Sequence, residues 1–350
     1  MSKSCKNLTP YVPGEQPRER KYLKLNTNES PFPPSPSVIE AAADAARNLN
    51  LYSDPECLSL REKMAARYGI GPENVVMGNG SDEILYFAFK AFADADRPLV
   101  FPDVTYGFYP VFADVNGIPY EEIPVGKDFE IDPDDYLVKG KTVVIANPNA
   151  PTGRFLPLCE IERIAAFDPE RVVIIDEAYV DFGGESAVRL TKKYKNLFVT
   201  GTFSKSRSLA GGRLGFGIAC RELIEDVNTV RFSFNPYNVN SMTAAAGAAA
   251  LSDDGYYAKN CRMIMENREY TAKKLEELGF RVIPSKTNFL FVESNAVDGL
   301  TLYRELKKRN VLVRHFTSPR TANFNRITVG TLRQMEILLE TVRKILEELK

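Results

Sequence analysis

The sequence contains a single histidine, His315, among its 350 residues. A histidine-based triad or a multi-histidine metal centre could be built only around this residue, and no metal site is predicted. We interpret His315 as an incidental residue at a strand end. The cysteines are scattered, odd in number and free of any C-x-x-C pair, which is typical of reduced thiols in a cytoplasmic protein. They are Cys5, Cys57, Cys159, Cys220 and Cys261.

The chain also lacks a charge imbalance and a long apolar run. Its formal net charge is −1, which argues against a nucleic-acid or membrane-surface partner because no broad basic field is present. No apolar run approaches the roughly 18 residues of a membrane-spanning helix, and the amino terminus has no apolar signal segment. With 44% hydrophobic and 26% charged residues, the composition predicts a soluble globular protein with two subdomains.

Short apolar segments alternate with helical segments along the chain. Strands are predicted at 98–101, 142–146, 172–175, 197–200 and 214–219, the last of them antiparallel because only a short loop precedes it. Helices are predicted at 35–48, 58–68, from Thr105, at 158–167, 242–251 and 256–278. This alternation predicts a mostly parallel sheet covered by helices on both faces, with ligands beyond the carboxyl ends of the strands.

The carboxyl-terminal part reads as a small α+β domain. Its strands are predicted at 280–284, 288–292, 311–314 and 326–330, with helices at 300–308 and from Leu332. We therefore expect an N-terminal arm at 1–35 that joins the small domain, a large domain at 36–262 and a small domain at 263–350.

Lys205 follows the apolar strand 197–200 and is surrounded by the small hydroxyls of Thr202 and Ser204. The same loop contains Arg213 and paired glycines, which together make a receptacle for a phosphate. The lysine precedes the glycines, so the loop is not a Walker-type loop. A lysine amine beside a phosphate site suits an imine with a phosphorylated aldehyde, of which pyridoxal phosphate (PLP) is the obvious one. The alternative is a solvated loop lysine.

A second phosphate-binding signal lies at Gly80, Ser81 and Asp82, where a strand, a glycine turn and a helix follow one another. The backbone amides at such a helix start favour an anion. Glu83 stands where a dinucleotide fingerprint requires its third glycine, which disfavours a nicotinamide cofactor.

Asp176 ends the apolar run V-V-I-I, and Tyr179 follows three residues later. A carboxylate at a buried strand end must find a partner or lose its charge, because desolvation raises its pKa. A protonated pyridine nitrogen is such a partner. A helix N-cap is the local alternative.

These segments, in this order, resemble the fold-type I aminotransferases, in the class II group, over nearly the whole chain. The resemblance implies that Lys205 forms an imine with PLP and that Ser204 and Arg213 hold its phosphate. It implies that Asp176 contacts the ring nitrogen and Tyr179 the ring hydroxyl, while the tyrosine of D-V-T-Y-G-F-Y, Tyr106, stacks on the ring. In N-P-N-A-P-T-G the family's ring-contacting asparagine is replaced by Ala150. We expect Asn149 to take over that contact.

Within this family, N-L-T-P-Y-V-P-G, V-L-V-R-H-F and R-I-T-V-G-T resemble the histidinol-phosphate aminotransferase subfamily. The resemblance implies that Tyr11, Arg314 and Arg326 bind the phosphate and carboxylate groups of the substrates and that Asn28 lies near the substrate. It also implies a homodimer in which Tyr52 reaches the neighbour's cofactor phosphate. Gly212 and Asn325 depart from the subfamily's usual leucine.

The predicted reaction is PLP-dependent transamination of histidinol phosphate with 2-oxoglutarate, in the cytoplasm, on small amine and 2-oxo acid substrates. The alternatives are an aromatic aminotransferase or a threonine-phosphate decarboxylase of the same group. An inactive binding or regulatory protein with the same fold is the alternative of a different class.

Overall fold

The computed structural model describes residues 6, 8–17 and 20–349. Cys5 lies outside these residues, and so does Asn7, the first residue of the predicted arm motif. Thirteen strands are found in the described part of the chain. In chain order they are β1 (Leu23–Lys24), β2 (Val75–Gly78), β3 (Leu99–Pro102), β4 (Tyr120–Ile123), β5 (Thr142–Ala146), β6 (Val173–Asp176), β7 (Leu197–Thr202), β8 (Gly215–Ile218), β9 (Phe280–Ile283), β10 (Phe289–Ser294), β11 (Val311–Leu312), β12 (Arg314–His315) and β13 (Phe324–Thr328).

Ten α-helices accompany the strands in the described residues. They are α1 (Pro36–Ala45), α2 (Leu58–Tyr68), α3 (Ser81–Phe92), α4 (Phe108–Asn116), α5 (Leu158–Phe167), α6 (Arg221–Phe234), α7 (Ser241–Ser252), α8 (Asp254–Glu277), α9 (Gly299–Lys308) and α10 (Leu332–Glu348). Among the residues described, none of these helices combines the length and the apolar character that crossing a membrane requires.

A seven-stranded sheet forms the centre of the larger part, with the order β2-β8-β7-β6-β5-β3-β4. The strands from β3 to β7 run parallel, whereas β8 is antiparallel to both of its neighbours, as predicted. Along β5, Val143 and Ile145 pack into one hydrophobic cluster, and Val144 and Ala146 pack into another. Since alternate side chains point to opposite faces of a sheet, the two clusters lie on its two faces. The first cluster includes residues of α2, α5 and α7, and the second includes residues of α3, α4 and α6. Helices therefore cover both faces, and the predicted fold class is confirmed.

The carboxyl-terminal part contains a four-stranded antiparallel sheet with the order β12-β13-β10-β9. The arm joins this part through β1, which pairs in parallel with β11. The helix α8 runs through residue 262, and the proposed domain boundaries at 35 and 262 stay a prediction.

Several local predictions differ from the structure. The helix predicted from Thr105 begins at Phe108, after the stretch that supplies Tyr106 to the site. The strand predicted at 311–314 is divided between two sheets, since β11 pairs with the arm and β12 pairs with β13. The exposed edge strand β4 and the amphipathic helix α6 were not predicted. Ser35 lies at the N-cap of α1 and Pro36 at its first position, but the Ser35 side chain makes no cap hydrogen bond.

Candidate active site

A cavity opens at the carboxyl ends of β5, β6 and β7, where the predicted fold places a ligand. Its lining combines three strand ends with the start of α3 and with residues of the arm. Nine of the predicted site residues line it: Ser81, Asp82, Tyr106, Asp176, Tyr179, Thr202, Ser204, Lys205 and Arg213. These residues are spread over positions 81 to 213 of the sequence. They meet in space because the carboxyl ends of the parallel strands lie at one edge of the sheet.

Lys205 lines the cavity and follows the end of β7 by three residues. Its Nζ atom is 3.5 Å from the carbonyl oxygen of Thr27 in the arm and 5.8 Å from the centre of the Tyr179 ring. Among the described residues it forms no ion pair with a carboxylate. The amine is therefore within the cavity and available to a ligand, because no carboxylate of the described residues pairs with it.

Asp176 ends β6 and is 4% exposed. Burial raises the pKa of its carboxyl to about 6, against the hydrogen bond from the Tyr109 hydroxyl, which lowers it. That hydroxyl donates to Oδ2 at 2.9 Å, and the backbone N–H of Ala178 donates to Oδ1 at 3.2 Å. The carboxyl acts as the cap of a local turn and still lines the cavity, where it can pair with a cationic ring nitrogen.

The phosphate-binding elements predicted from separate parts of the chain come together. Ser204 accepts a hydrogen bond from Arg213 at 3.3 Å, and Thr202 donates to Ser204 at 3.0 Å. Arg213 also pairs with Asp82 in the first turn of α3, with 3.1 Å between Nη2 and Oδ2. Gly80 has a φ of 85°, and a Cβ atom there would lie 2.4 Å from Arg213 Nη2. Only glycine at this turn leaves room for the guanidinium beside the helix start, where an anion is favoured.

Tyr106 lines the cavity, and its hydroxyl donates to Asp82 Oδ1 at 2.8 Å. Burial and the nearby Asp82 carboxylate hold the pKa of the Tyr106 phenol well above its usual value, so the ring stays neutral. Its stacking on a cofactor ring stays a prediction.

The structure does not bring the Asn149 side chain to the cavity. Its Nδ2 donates to the Val104 carbonyl and the Thr152 hydroxyl at 2.9 Å each, and its Oδ1 accepts from Thr105 at 2.8 Å. Ala150 lines the cavity instead. The expected transfer of the ring contact to Asn149 therefore has no support in its placement, because every polar atom of its amide stabilises the loop.

The arm closes one side of the site. Tyr11 stacks on Phe108 with ring centres 4.0 Å apart, and it lies 6.4 Å from the Tyr106 ring. The Arg314 guanidinium donates to the carbonyls of Val12 and Pro13 at 3.1 Å each. Burial raises the pKa of the Tyr11 phenol, with Arg314 and Arg326 opposing the shift. The two carbonyls that bind Arg314 directly follow Tyr11 in the arm, so the Arg314 guanidinium lies near this residue.

Arg314 and Arg326 stand directly opposite each other in the β12–β13 pair. Both guanidinium groups lie within 6 Å of the Phe316 ring, at 5.9 and 5.8 Å from its centre. Arg326 donates to the Asn26 carbonyl at 3.1 Å, while its buried Nε has no hydrogen-bond partner among the described residues. Like charges directly opposite each other on a sheet are destabilising, so this pair is suited to an anionic ligand.

Asn28 and Tyr52 occupy different surroundings. Asn28 is 1% exposed, and its Nδ2 donates to the Tyr179 hydroxyl at 2.9 Å. Tyr52 is 84% exposed and stacks on Tyr237, with ring centres 4.6 Å apart. Tyr52 does not line the cavity of its own chain.

The sequence reasoning missed two contributors to the site. Tyr109 holds the Asp176 carboxyl, and Thr27 places its carbonyl against Lys205. The spacing of three residues from Tyr106 to Tyr109 could have indicated Tyr109, because residues three apart share one face of a helical turn. For Thr27 no local signal exists, since its contact with Lys205 spans 178 positions. Within the described residues, no cluster suited to a metal ion was found.

The described geometry fits a phosphorylated pyridine aldehyde: an amine, a buried carboxyl and a phosphate-binding corner surround one cavity. A model of the family named aminotransferase class I and II matches residues 20–342. The chain belongs to the aminotransferase class I and II family.

Curated members of this family match the chain over nearly its full length. A protein from Dechloromonas aromatica named histidinol-phosphate aminotransferase 2 is 45% identical, over 98% of each chain. A histidinol-phosphate aminotransferase from Aromatoleum aromaticum is 47% identical, over 97% of each chain. The crystal structure of histidinol-phosphate aminotransferase from Sinorhizobium meliloti, in complex with pyridoxal-5'-phosphate, has a TM-score of 0.86 at 24% identity and covers 95% of this chain and 93% of that one. This last likeness shows the fold.

Proposed function

We propose that this aminotransferase binds PLP and transfers the amino group of L-histidinol phosphate to 2-oxoglutarate, giving imidazole-acetol phosphate and glutamate in histidine biosynthesis. The names of relatives at 45% and 47% identity support this reaction. The observation that carries it is the pair Arg314 and Arg326, which stand opposite each other in the β12–β13 pair, bind carbonyls of the arm and have no carboxylate partner among the described residues. One substrate brings a phosphate and the other brings carboxylates, and both suit a planar guanidinium.

The polar residues predicted for cofactor binding would each have a role in this reaction. Ser204, Arg213 and the start of α3 would hold the cofactor phosphate, and Tyr106 would lie against the ring. When bound, PLP supplies an electron sink for the carbon atom that loses its proton. Asp176 would hold a proton on the ring nitrogen, because a buried carboxylate is stabilised by a cationic partner. The Lys205 amine would act as the general base and acid that moves this proton.

We also infer a homodimer in the cytoplasm. The exposed Tyr52 (84%) follows the exposed Leu51 (64%) and stacks on Tyr237 (43%), and the exposed Phe234 (65%) precedes Tyr237 by three positions. An apolar surface of this kind favours a second copy of the chain, whose cavity Tyr52 would then reach. The free cysteines of the described part, Cys57, Cys159, Cys220 and Cys261, are consistent with a reducing compartment.

The visible spectrum of the purified, PLP-loaded protein tests the reaction. Histidinol phosphate added without any keto acid should discharge the band of the lysine-bound cofactor, and 2-oxoglutarate should restore it. Histidinol without phosphate, phenylalanine and phosphothreonine serve as matched amines. A band that persists with histidinol phosphate but is discharged by an aromatic amino acid would move the assignment to an aromatic aminotransferase, and carbon dioxide release from phosphothreonine would indicate a decarboxylase.

A further inference from the structure

The amide of Asn28 controls a hydroxyl in the cavity although Asn28 itself lies in the arm. Asn28 is 1% exposed and has a positive φ of 56°, which asparagine tolerates better than most residues. Its Nδ2 donates to the Tyr179 hydroxyl at 2.9 Å. No other hydrogen-bond partner of that hydroxyl is found among the described residues. The orientation of the Asn28 amide therefore decides whether the Tyr179 hydroxyl accepts or donates the hydrogen bond to Asn28.

Thr328, at the end of β13, fixes this orientation. Its hydroxyl oxygen accepts the backbone N–H of Asn28 at 2.9 Å, and it lies 3.2 Å from Asn28 Oδ1. While its oxygen accepts that N–H, the Thr328 hydroxyl donates its own proton to Asn28 Oδ1. Oδ1 is thereby held as the acceptor. The Asn288 side chain fixes the backbone as well, because its Nδ2 donates to the Asn28 carbonyl at 2.9 Å.

The direction of the Tyr179 proton follows. The amide nitrogen of Asn28 can only donate, so the Tyr179 oxygen accepts that bond, and its own proton must point elsewhere. Tyr179 lines the cavity together with Lys205 and Ala150. Ala150 has no polar side-chain atom, and the Asn149 amide is engaged in its loop. The Tyr179 hydroxyl is thus a directed donor at this side of the cavity.

We propose that Asn28 and Thr328 are positioning residues that aim the Tyr179 proton into the cavity, toward the anionic ring oxygen of the cofactor. The proposal rests on the PLP-dependent function proposed above. It assigns to the arm and to β13 a role in the protonation of the bound cofactor, although neither of the two side chains lines the cavity. A proton donated to the ring oxygen weakens that oxygen's hold on the proton shared with the Lys205 nitrogen, and so lowers the pH at which the visible band titrates.

The test is the pH titration of that band in the resting, PLP-loaded enzyme, which does not depend on turnover. In Asn28→Asp a carboxylate replaces the donor and takes the Tyr179 proton, so the midpoint should rise by about one pH unit or more, the worth of a charge-assisted hydrogen bond. Thr328→Val, neutral and similar in shape, frees the amide to turn and should produce a smaller rise. This second variant keeps the test valid if Asn28→Asp fails to fold.

A Tyr179→Phe background separates this role from a simple charge effect. The rise caused by Thr328→Val should vanish there, because no phenolic proton remains to be redirected, and the rise caused by Asn28→Asp should shrink to the effect of the carboxylate's charge alone. The same rise in the Phe background, or an unchanged midpoint in both single variants, would overturn the proposal. A protein that forms no visible band with PLP would instead refute the proposed function, so the two failures are distinguishable.

Discussion

Tyr109 should control how tightly the protein binds its cofactor, and it should do so only at low pH. Its hydroxyl donates to the buried Asp176 carboxyl at 2.9 Å, and the pKa of that carboxyl is raised to about 6. A hydrogen bond to a charged group contributes about 1.5–3 kcal/mol, which corresponds to about one to two pKa units. Tyr109→Phe should therefore raise the pKa of Asp176 to about 7–8.

The consequence for binding follows from the fraction of Asp176 that is ionised. At pH 6 about half of the carboxyl is ionised in the native protein but only about 1–10% in Tyr109→Phe, so the Kd for PLP should rise about 5- to 50-fold. At pH 9 Asp176 is ionised in both proteins, and the two Kd values should converge. Fluorescence or absorption titration of the apoenzyme with PLP at the two pH values measures this.

A matched control is available in Tyr136, another buried tyrosine. It is 1% exposed, and its hydroxyl has no hydrogen-bond partner among the described residues. Tyr136→Phe should leave the Kd for PLP unchanged at both pH values. Equal weakening by Tyr109→Phe at pH 6 and pH 9 would refute the reasoning, because it would mean that Tyr109 acts by packing and not through the charge of Asp176.

Three further outcomes are expected. Lys205→Ala should fold normally but show no turnover, and normal steady-state rates would end the proposed mechanism. Arg326→Lys should raise the KM for glutamate and lower kcat/KM for both half-reactions, since a point charge cannot replace the planar fork; an unchanged KM for glutamate would remove Arg326 from its role. Burial raises the pKa of Glu177 to about 8, so the fold favours the neutral form, and this carboxyl makes the apoprotein less stable as pH rises from about 4.5 to about 8. The free energy of unfolding of Glu177→Gln should therefore exceed that of the native apoprotein by on the order of a few kcal/mol at pH 9 but by little at pH 5. Urea unfolding measures this, and an equal difference at both pH values would contradict it.

The loop that follows β5 shows where local patterns stop being informative. The sequence identifies N-P-N-A-P-T-G as a ligand-side loop, because it follows a buried strand. Which of its side chains enters the cavity depends on the turn of the backbone, and the structure directs Asn149 to Val104, Thr105 and Thr152. A one-residue difference in a turn reverses the direction of a side chain, and no local spacing reveals it.

The sequence by itself determined that the large sheet is mostly parallel and which polar residues follow its buried strands, because buried strands are apolar runs whose carboxyl ends can be read directly. Lys205 and Asp176 were predicted in this way, and both line the cavity. Only the tertiary structure decided the contacts of the arm. Asn28 meets Tyr179 across 151 positions and Thr328 across 300. Such contacts are selected by the packing of distant segments, whose pairing leaves no periodicity in either segment.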